Sequence, residues 1–104
     1  MTPTQQEYYS SRVLPITSTV FSSPVTYEPW LDIPCAFMIC TLDNAIPVGL
    51  QRGMVGFLKG ASPYPVTVAE IEASHSPFIS VPQKVVEAVD IAAKAGAEQS
   101  AKKL

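Results

Sequence analysis

The sequence predicts an α/β protein made of two parallel strands with flanking helices, in a sheet that is incomplete. Three observations carry this expectation. Residues 35–40 form a short, wholly apolar run (Cys-Ala-Phe-Met-Ile-Cys) opened by Pro34, which suits a strand buried on both faces. After Pro47, Leu50, Met54, Phe57 and Leu58 recur at helical spacing. A β-branched run at 66–71 then precedes another apolar-periodic segment. Strand, helix, strand in that order implies a right-handed parallel crossover. Two parallel strands alone leave edges open and bury too little, so the pattern points to a larger sheet.

Taken in order, Thr4-Gln5-Gln6-Glu7 fits a capping box, predicting a short helix through Tyr8, Tyr9, Arg12 and Val13 that ends before Pro15. From Pro15 to Pro34 the chain is rich in Ser, Thr and Pro and reads as an irregular connection with one helical turn, anchored by buried Tyr27 and Trp30. The first strand ends at a polar turn, Thr41-Leu42-Asp43-Asn44. Gly49, Gly53 and Gly56 weaken the next helix, so it should depend on close packing against a sheet. Residues 59–65 form a breaker-rich loop before the second strand. Ser80-Val81-Pro82-Gln83 is a second capping box, opening a helix that presents Val85, Val86, Val89, Ala92 and Ala93 and stops at Gly96. Residues 97–104 should be a frayed polar tail.

The 104 residues are 47% hydrophobic but only 15% charged, with 10 Pro against 5 Gly. A free-standing domain of this size normally carries more charge, so the composition suits a piece that packs against something else. The net charge of −2 and the scattered Lys and Arg exclude a nucleic-acid footprint. No apolar run approaches the ~20 residues of a membrane span, and Met1–Glu7 lacks the features of a secretory signal, so a cytoplasmic location is expected. Cys35 and Cys40 would lie ~16 Å apart on an extended strand, beyond disulfide reach, and read as buried apolar thiols. No Cys or His cluster has metal-ligand spacing, so neither a metal nor another cofactor is expected.

Chemistry in open α/β sheets gathers at the carboxyl ends of the strands. Asp43 follows the first strand and His75 the second, 32 residues later, so a parallel pair would bring both to one edge of the sheet. There an Asp could hold the His Nδ1–H and leave the other nitrogen as a general base. A plainer alternative stands beside it: an Asp-Asn pair is a routine turn, and a His before Ser-Pro can simply cap or pack.

Residues 40–47, Cys-Thr-Leu-Asp-Asn-Ala-Ile-Pro, resemble the acid-bearing turn of α/β-hydrolases related to plant methylesterases and hydroxynitrile lyases. Residues 73–78, Ala-Ser-His-Ser-Pro-Phe, followed by Ser80-Val81-Pro82, are similar to that family's catalytic-histidine turn and final helix. Thr26-Tyr27-Glu28-Pro29-Trp30 with Asp32-Ile33-Pro34 resembles fungal members, some from secondary-metabolite pathways. The resemblance implies the C-terminal portion of an α/β-hydrolase fold, with Asp43 as triad acid and His75 as triad base. It divides the chain into a remnant of the cap region and connection at 1–30, the core portion at 31–96, and a tail at 97–104. The family's nucleophile sits in a Gly-x-Ser-x-Gly elbow, and the sequence contains none. Gly60-Ala61-Ser62-Pro63-Tyr64 comes nearest but leads into a strand, and Pro63 lacks the N–H an oxyanion hole would use.

The sequence therefore leads to a truncated hydrolase-like chain that retains an esterase-type acid and histidine. Its substrate would be a small apolar ester or pathway intermediate, with negligible activity for the chain alone. Two alternatives remain: a non-catalytic subunit that complements another chain through its open sheet edge, and a His-based proton-transfer protein of lyase or isomerase type.

Overall fold

A computed structural model describes residues 1–102. Its order is α1 (Pro3–Ser10), two 3₁₀ turns (Ser18–Phe21 and Pro29–Leu31), β1 (Ala36–Cys40), α2 (Val48–Ala61), β2 (Thr67–Ile71), α3 (Pro77–Ser80) and α4 (Pro82–Lys102). The two strands pair in parallel, Ala36 opposite Thr67 through Cys40 opposite Ile71. This is the predicted arrangement, an open and incomplete sheet with helices against it.

The ladder has a definite parity. Thr67 N–H donates to Cys35 O at 3.2 Å, and Thr41 N–H donates to Ile71 O at 2.9 Å. Backbone groups in a strand alternate sides, so those of Cys35, Phe37, Ile39 and Thr41 face β2. Those of Ala36, Met38 and Cys40 face the outer edge. Side chains alternate as well. Ala36 and Met38, with their register partners Thr67 and Ala69, line a groove beside α4. Cys35 and Phe37 lie toward α2, as does Glu70, which pairs with Arg52 of that helix at 2.6 Å. The helices therefore cover opposite faces.

The core is small and sits at the carboxyl ends of the strands: Ile39, Cys40, Val55, Ile71 and Ala73 are buried. Gln51 joins them at 4% exposure. Its amide bonds both ways to Cys40, accepting from the backbone N–H at 2.8 Å and donating to the carbonyl at 2.9 Å. The same Nε2 donates to Ile46 O at 2.7 Å. A side-chain amide has the donor and acceptor of a peptide unit, so Gln51 supplies one rung of a ladder on the outer edge of β1.

Several expectations need correction. The first capping box is two residues earlier: Thr2 Oγ1 accepts from Gln5 N–H, Gln5 Oε1 accepts from Thr2 N–H, and Pro3 occupies the first helical position. Proline's fixed φ favours that start, and the helix ends at Ser10, before Arg12 and Val13. The connection holds two turns rather than one, and Tyr27 is exposed, donating to Asp32 Oδ2 at 2.8 Å; only Trp30 is half-buried. The first strand is not buried along its length, since Ala36 is exposed and only Ile39 and Cys40 are fully covered. Cys35 is accordingly half-buried, and both thiols are free.

The helices also face differently. Gln51 and Val55 are the buried positions of α2, whereas Leu50, Met54 and Phe57 of the apolar stripe are exposed. A Cβ added at Gly49, Gly53 or Gly56 would meet nothing within 4 Å, so close packing does not explain these glycines here. Ser80 closes α3 instead of capping α4, and its Oγ has no hydrogen-bond partner among the described residues. Helix α4 runs through Gly96, which has no positive φ, so residues 97–102 are helical; the rest of the expected tail, 103–104, lies outside the described residues. Toward the sheet α4 presents Val85, Ala88, Ala92 and Ala95, leaving Val86, Val89 and Ala93 exposed. In α2 and α4 one ridge lies against the sheet and a neighbouring apolar ridge is exposed.

Replacing Gln51 by Ala would strand the Cys40 and Ile46 groups. An unsatisfied buried backbone group costs about 1–3 kcal/mol, so urea unfolding of Gln51→Ala should show a loss of about 2–3 kcal/mol. A change below about 0.5 kcal/mol would mean the amide is dispensable.

Candidate active site

Asp43 lies in the turn that leaves β1. Its Oδ1 accepts from the N–H groups of Ala45 at 2.8 Å and Ile46 at 3.0 Å, the local closure an Asp turn favours. Ile46 is itself held by Gln51, and α2 then starts just after Pro47. The turn is thus clamped at both ends before any second element is considered.

His75 follows β2. The ladder continues past both strands into the loops: Thr41 N–H and Oγ1–H donate to Ile71 O, and Leu42 N–H donates to Ala73 O at 3.0 Å. This last bond joins the residue before Asp43 to a carbonyl two residues before His75. The two side chains meet at 2.9 Å between His75 Nδ1 and Asp43 Oδ2. An ionised carboxylate only accepts, so Nδ1 carries the proton and donates. Both residues singled out from the strand ends are therefore brought together across 32 positions.

Burial divides the pair. The Asp43 side chain is 6% exposed and that of His75 58%. The His75 hydrogen bond, with smaller help from the Ile46 and Ala45 amides, holds the Asp43 carboxyl below its ordinary value against the opposing effect of burial. Cys40, just behind, has its thiol pushed up by burial and by the Asp43 charge, so it stays neutral. The imidazole Nε2 has no hydrogen-bond partner among the described residues. His75 borders an open cavity of about 430 Å³ walled by Met1 and Gln6 of the N-terminal segment and by Asn44, Ala45, Ser74 and Ser76. The arrangement can fix one imidazole tautomer and present the other nitrogen as a base.

No serine hydroxyl among the described residues bonds to His75; Ser62 Oγ instead donates to Trp30 O at 2.7 Å. No group of three or more His, Cys, Asp or Glu among the described residues could hold a metal ion. Nor is any described helix long and apolar enough to cross a membrane. Gln51 is the site residue that motif reasoning missed. Its signal was faint: one polar residue on the ridge Pro47, Gln51, Val55, beside a more conspicuous apolar stripe.

An open α/β sheet with an Asp–His pair at its carboxyl edge is a hydrolase-type arrangement. The chain belongs to the alpha/beta hydrolase family, whose model matches residues 3–88. It is 33% identical over 75 residues to an alpha/beta hydrolase, nvfD, of Aspergillus novofumigatus, covering 72% of this chain and 28% of that protein. It is 30% identical over 69 residues to the probable hydrolase R7 of a Phoma species, covering 66% of this chain and 28% of the relative. A pyrethroid hydrolase of Sphingobium wenxiniae is 37% identical over 68 residues, with 65% and 23% covered. The chain thus spans under a third of these relatives, matching their C-terminal part. No solved structure matches it.

Because the folded pKa of Asp43 is the lower one, its ionised form stabilises the fold fully above the unfolded-chain value of about 3.9. That contribution fades as the pH falls through the folded value. Urea midpoints of the native chain and of Asp43→Asn should therefore differ at about pH 7 and converge once the pH falls below the lowered folded-state value. A gap independent of pH would show that the Asp43 charge is not what stabilises the turn.

Proposed function

We propose that the chain supplies the acid–base part of an ester hydrolase and that the nucleophile comes from elsewhere. The observation that carries this reading is the 2.9 Å Asp43–His75 contact, with its acid shielded and its base open. Family membership, the lack of a Gly-x-Ser-x-Gly segment, and coverage of under a third of the relatives support it.

In this reading Asp43 holds Nδ1–H and stabilises the imidazolium that forms when Nε2 accepts a proton. Nε2 takes the proton of a hydroxyl nucleophile as its oxygen bonds to the ester carbonyl. It then gives that proton to the departing alkoxide, and water repeats the cycle to release the acid. The substrate would be a small apolar ester entering beside His75, in keeping with the cavity there and with one relative's name as a pyrethroid hydrolase. Two relatives are of fungal origin, in keeping with a fungal setting, and the resemblance of residues 26–34 to fungal members suggests a secondary-metabolite pathway. The second reading, a non-catalytic interaction subunit, is favoured by the unpaired edge of β1 and the exposed apolar face of α2.

Hydrolysis of p-nitrophenyl butyrate tests the leading reading. The chain alone should not exceed background. Co-expressed with the portion of the Phoma relative outside the matched stretch, it should turn over the ester, and Asp43→Asn should reduce that rate roughly 10⁴-fold. His75→Ala should cost at least as much. Turnover by the chain alone, or turnover indifferent to His75, would sink the reading.

A further inference from the structure

We propose that Gln51 is a positioning residue of the acid–base pair. Through Cys40 and Ile46 it fixes the Asp43 carboxylate, and thereby the Nδ1–H tautomer that leaves His75 Nε2 free to accept a proton. That the pair transfers protons rests on the proposed function; that Gln51 governs the tautomer rests on the hydrogen bonds alone.

The Gln51 amide brackets Asp43 from both sides of the turn. On the near side, the Cys40 carbonyl accepts from Gln51 Nε2 at 2.9 Å and from the Asp43 backbone N–H at 3.3 Å. On the far side, the Ile46 carbonyl accepts from the same Nε2 at 2.7 Å. The Ile46 N–H in turn donates to Asp43 Oδ1 at 3.0 Å. Gln51 therefore reaches the main chain of Asp43 through one residue and its carboxylate through another, without bonding to either directly. Pairing with the end of β1 needs only the two bonds to Cys40. The third bond, to Ile46, spans the turn and holds its two ends at a fixed separation.

A further link runs toward the second loop. The Cys40 carbonyl that Gln51 holds shares a peptide unit with the Thr41 N–H, which donates to Ile71 O at 2.9 Å. Hydrogen bonds at both ends of one peptide polarise each other and resist rotation of its plane. That plane leads into the Leu42–Ala73 bond, and so to the loop that carries His75. One amide thus bears on both members of the pair. The Asp43 side chain is 6% exposed, so these protein partners rather than bulk water set its direction.

The direction matters because of what imidazole does without it. A ring with no fixed acceptor at Nδ1 takes either tautomer, and in the Nε2–H form its outward nitrogen cannot accept a proton. A charge-assisted hydrogen bond weights that choice about tenfold or more. The weighting lasts only while Asp43 Oδ2 stays aimed at Nδ1.

Nitrogen-15 shifts of the imidazole read the tautomer, and His75 is the single histidine of the chain. With the ring neutral, the full chain should be predominantly in the Nδ1–H form. Gln51→Met keeps the side-chain length and removes all three bonds, whereas Gln51→Glu, ionised, keeps the acceptor and loses both donated bonds. Each should lower the ratio of Nδ1–H to Nε2–H by about tenfold. Val55→Ala, at the next buried position of α2, should destabilise the fold yet leave the ratio within about twofold. Urea curves set the folded fraction of each variant, and the shifts are read from the folded species. A native chain predominantly in the Nε2–H form, an unchanged ratio in either Gln51 variant, or an equal loss in Val55→Ala would overturn the inference. The expected tautomer shifts without ester hydrolysis in the co-expression assay would overturn the proposed function and leave the role of Gln51 standing.

Discussion

The side-chain amide of Gln51 is the interaction on which the rest of the structure depends. It binds the last residue of β1 through both backbone groups and the turn residue Ile46 through a third bond, from a helix that starts only three residues earlier. Strand end, turn and helix start are thereby one unit. Asp43 sits inside that unit with Oδ1 on two backbone amides, so its Oδ2 points in a direction set by local bonds alone. The Leu42–Ala73 bond then brings the second loop to it. A buried neutral amide suits this task because it satisfies donors and acceptors together without the desolvation cost of a charge.

This arrangement gives the molecule a gradient. The carboxyl ends of the strands hold the buried core and the Asp43–His75 pair, whereas the amino ends are exposed and flanked by uncovered apolar ridges. The radius of gyration is 16.1 Å, against about 13 Å for a well-packed chain of this length. The low charge content follows from the same fact. The ridges of α2 and α4 that would carry solvating charge on an isolated domain carry Leu50, Phe57, Val86 and Val89 instead.

What could be read in the sequence divides along a physical line. The strand–helix–strand order and the placement of Asp43 and His75 at one edge follow from periodicity and chain topology, both local or nearly so. Which face of each helix is packed does not. Periodicity says that Leu50, Met54 and Phe57 share a ridge; it says nothing of whether anything lies against that ridge. The buried ridge of α2 is the less conspicuous one, because a glutamine occupies its centre. Cap residues failed for a similar reason. Thr2 and Thr4 each stand three residues before a Gln or Glu, and Pro3 decides between them. Gly96 reads as a stop only if it takes a left-handed conformation, and here it stays within the helix.

The same line explains why an Asp–His pair can be arranged by two strands of an otherwise open sheet. Long-range constellations normally depend on a whole core, since each member must be held by packing against elements distant in the chain. Here only one long-range step is needed, the parallel ladder that runs from Cys35–Thr67 to Leu42–Ala73. Everything else that orients Asp43 lies within the 12 residues from Cys40 to Gln51. The conformational entropy of aligning acid and base is spent when that ladder forms, before any further chain is added. The acid–base geometry is therefore set locally, because Gln51 ties off the outer edge of β1 at the residue where the turn begins.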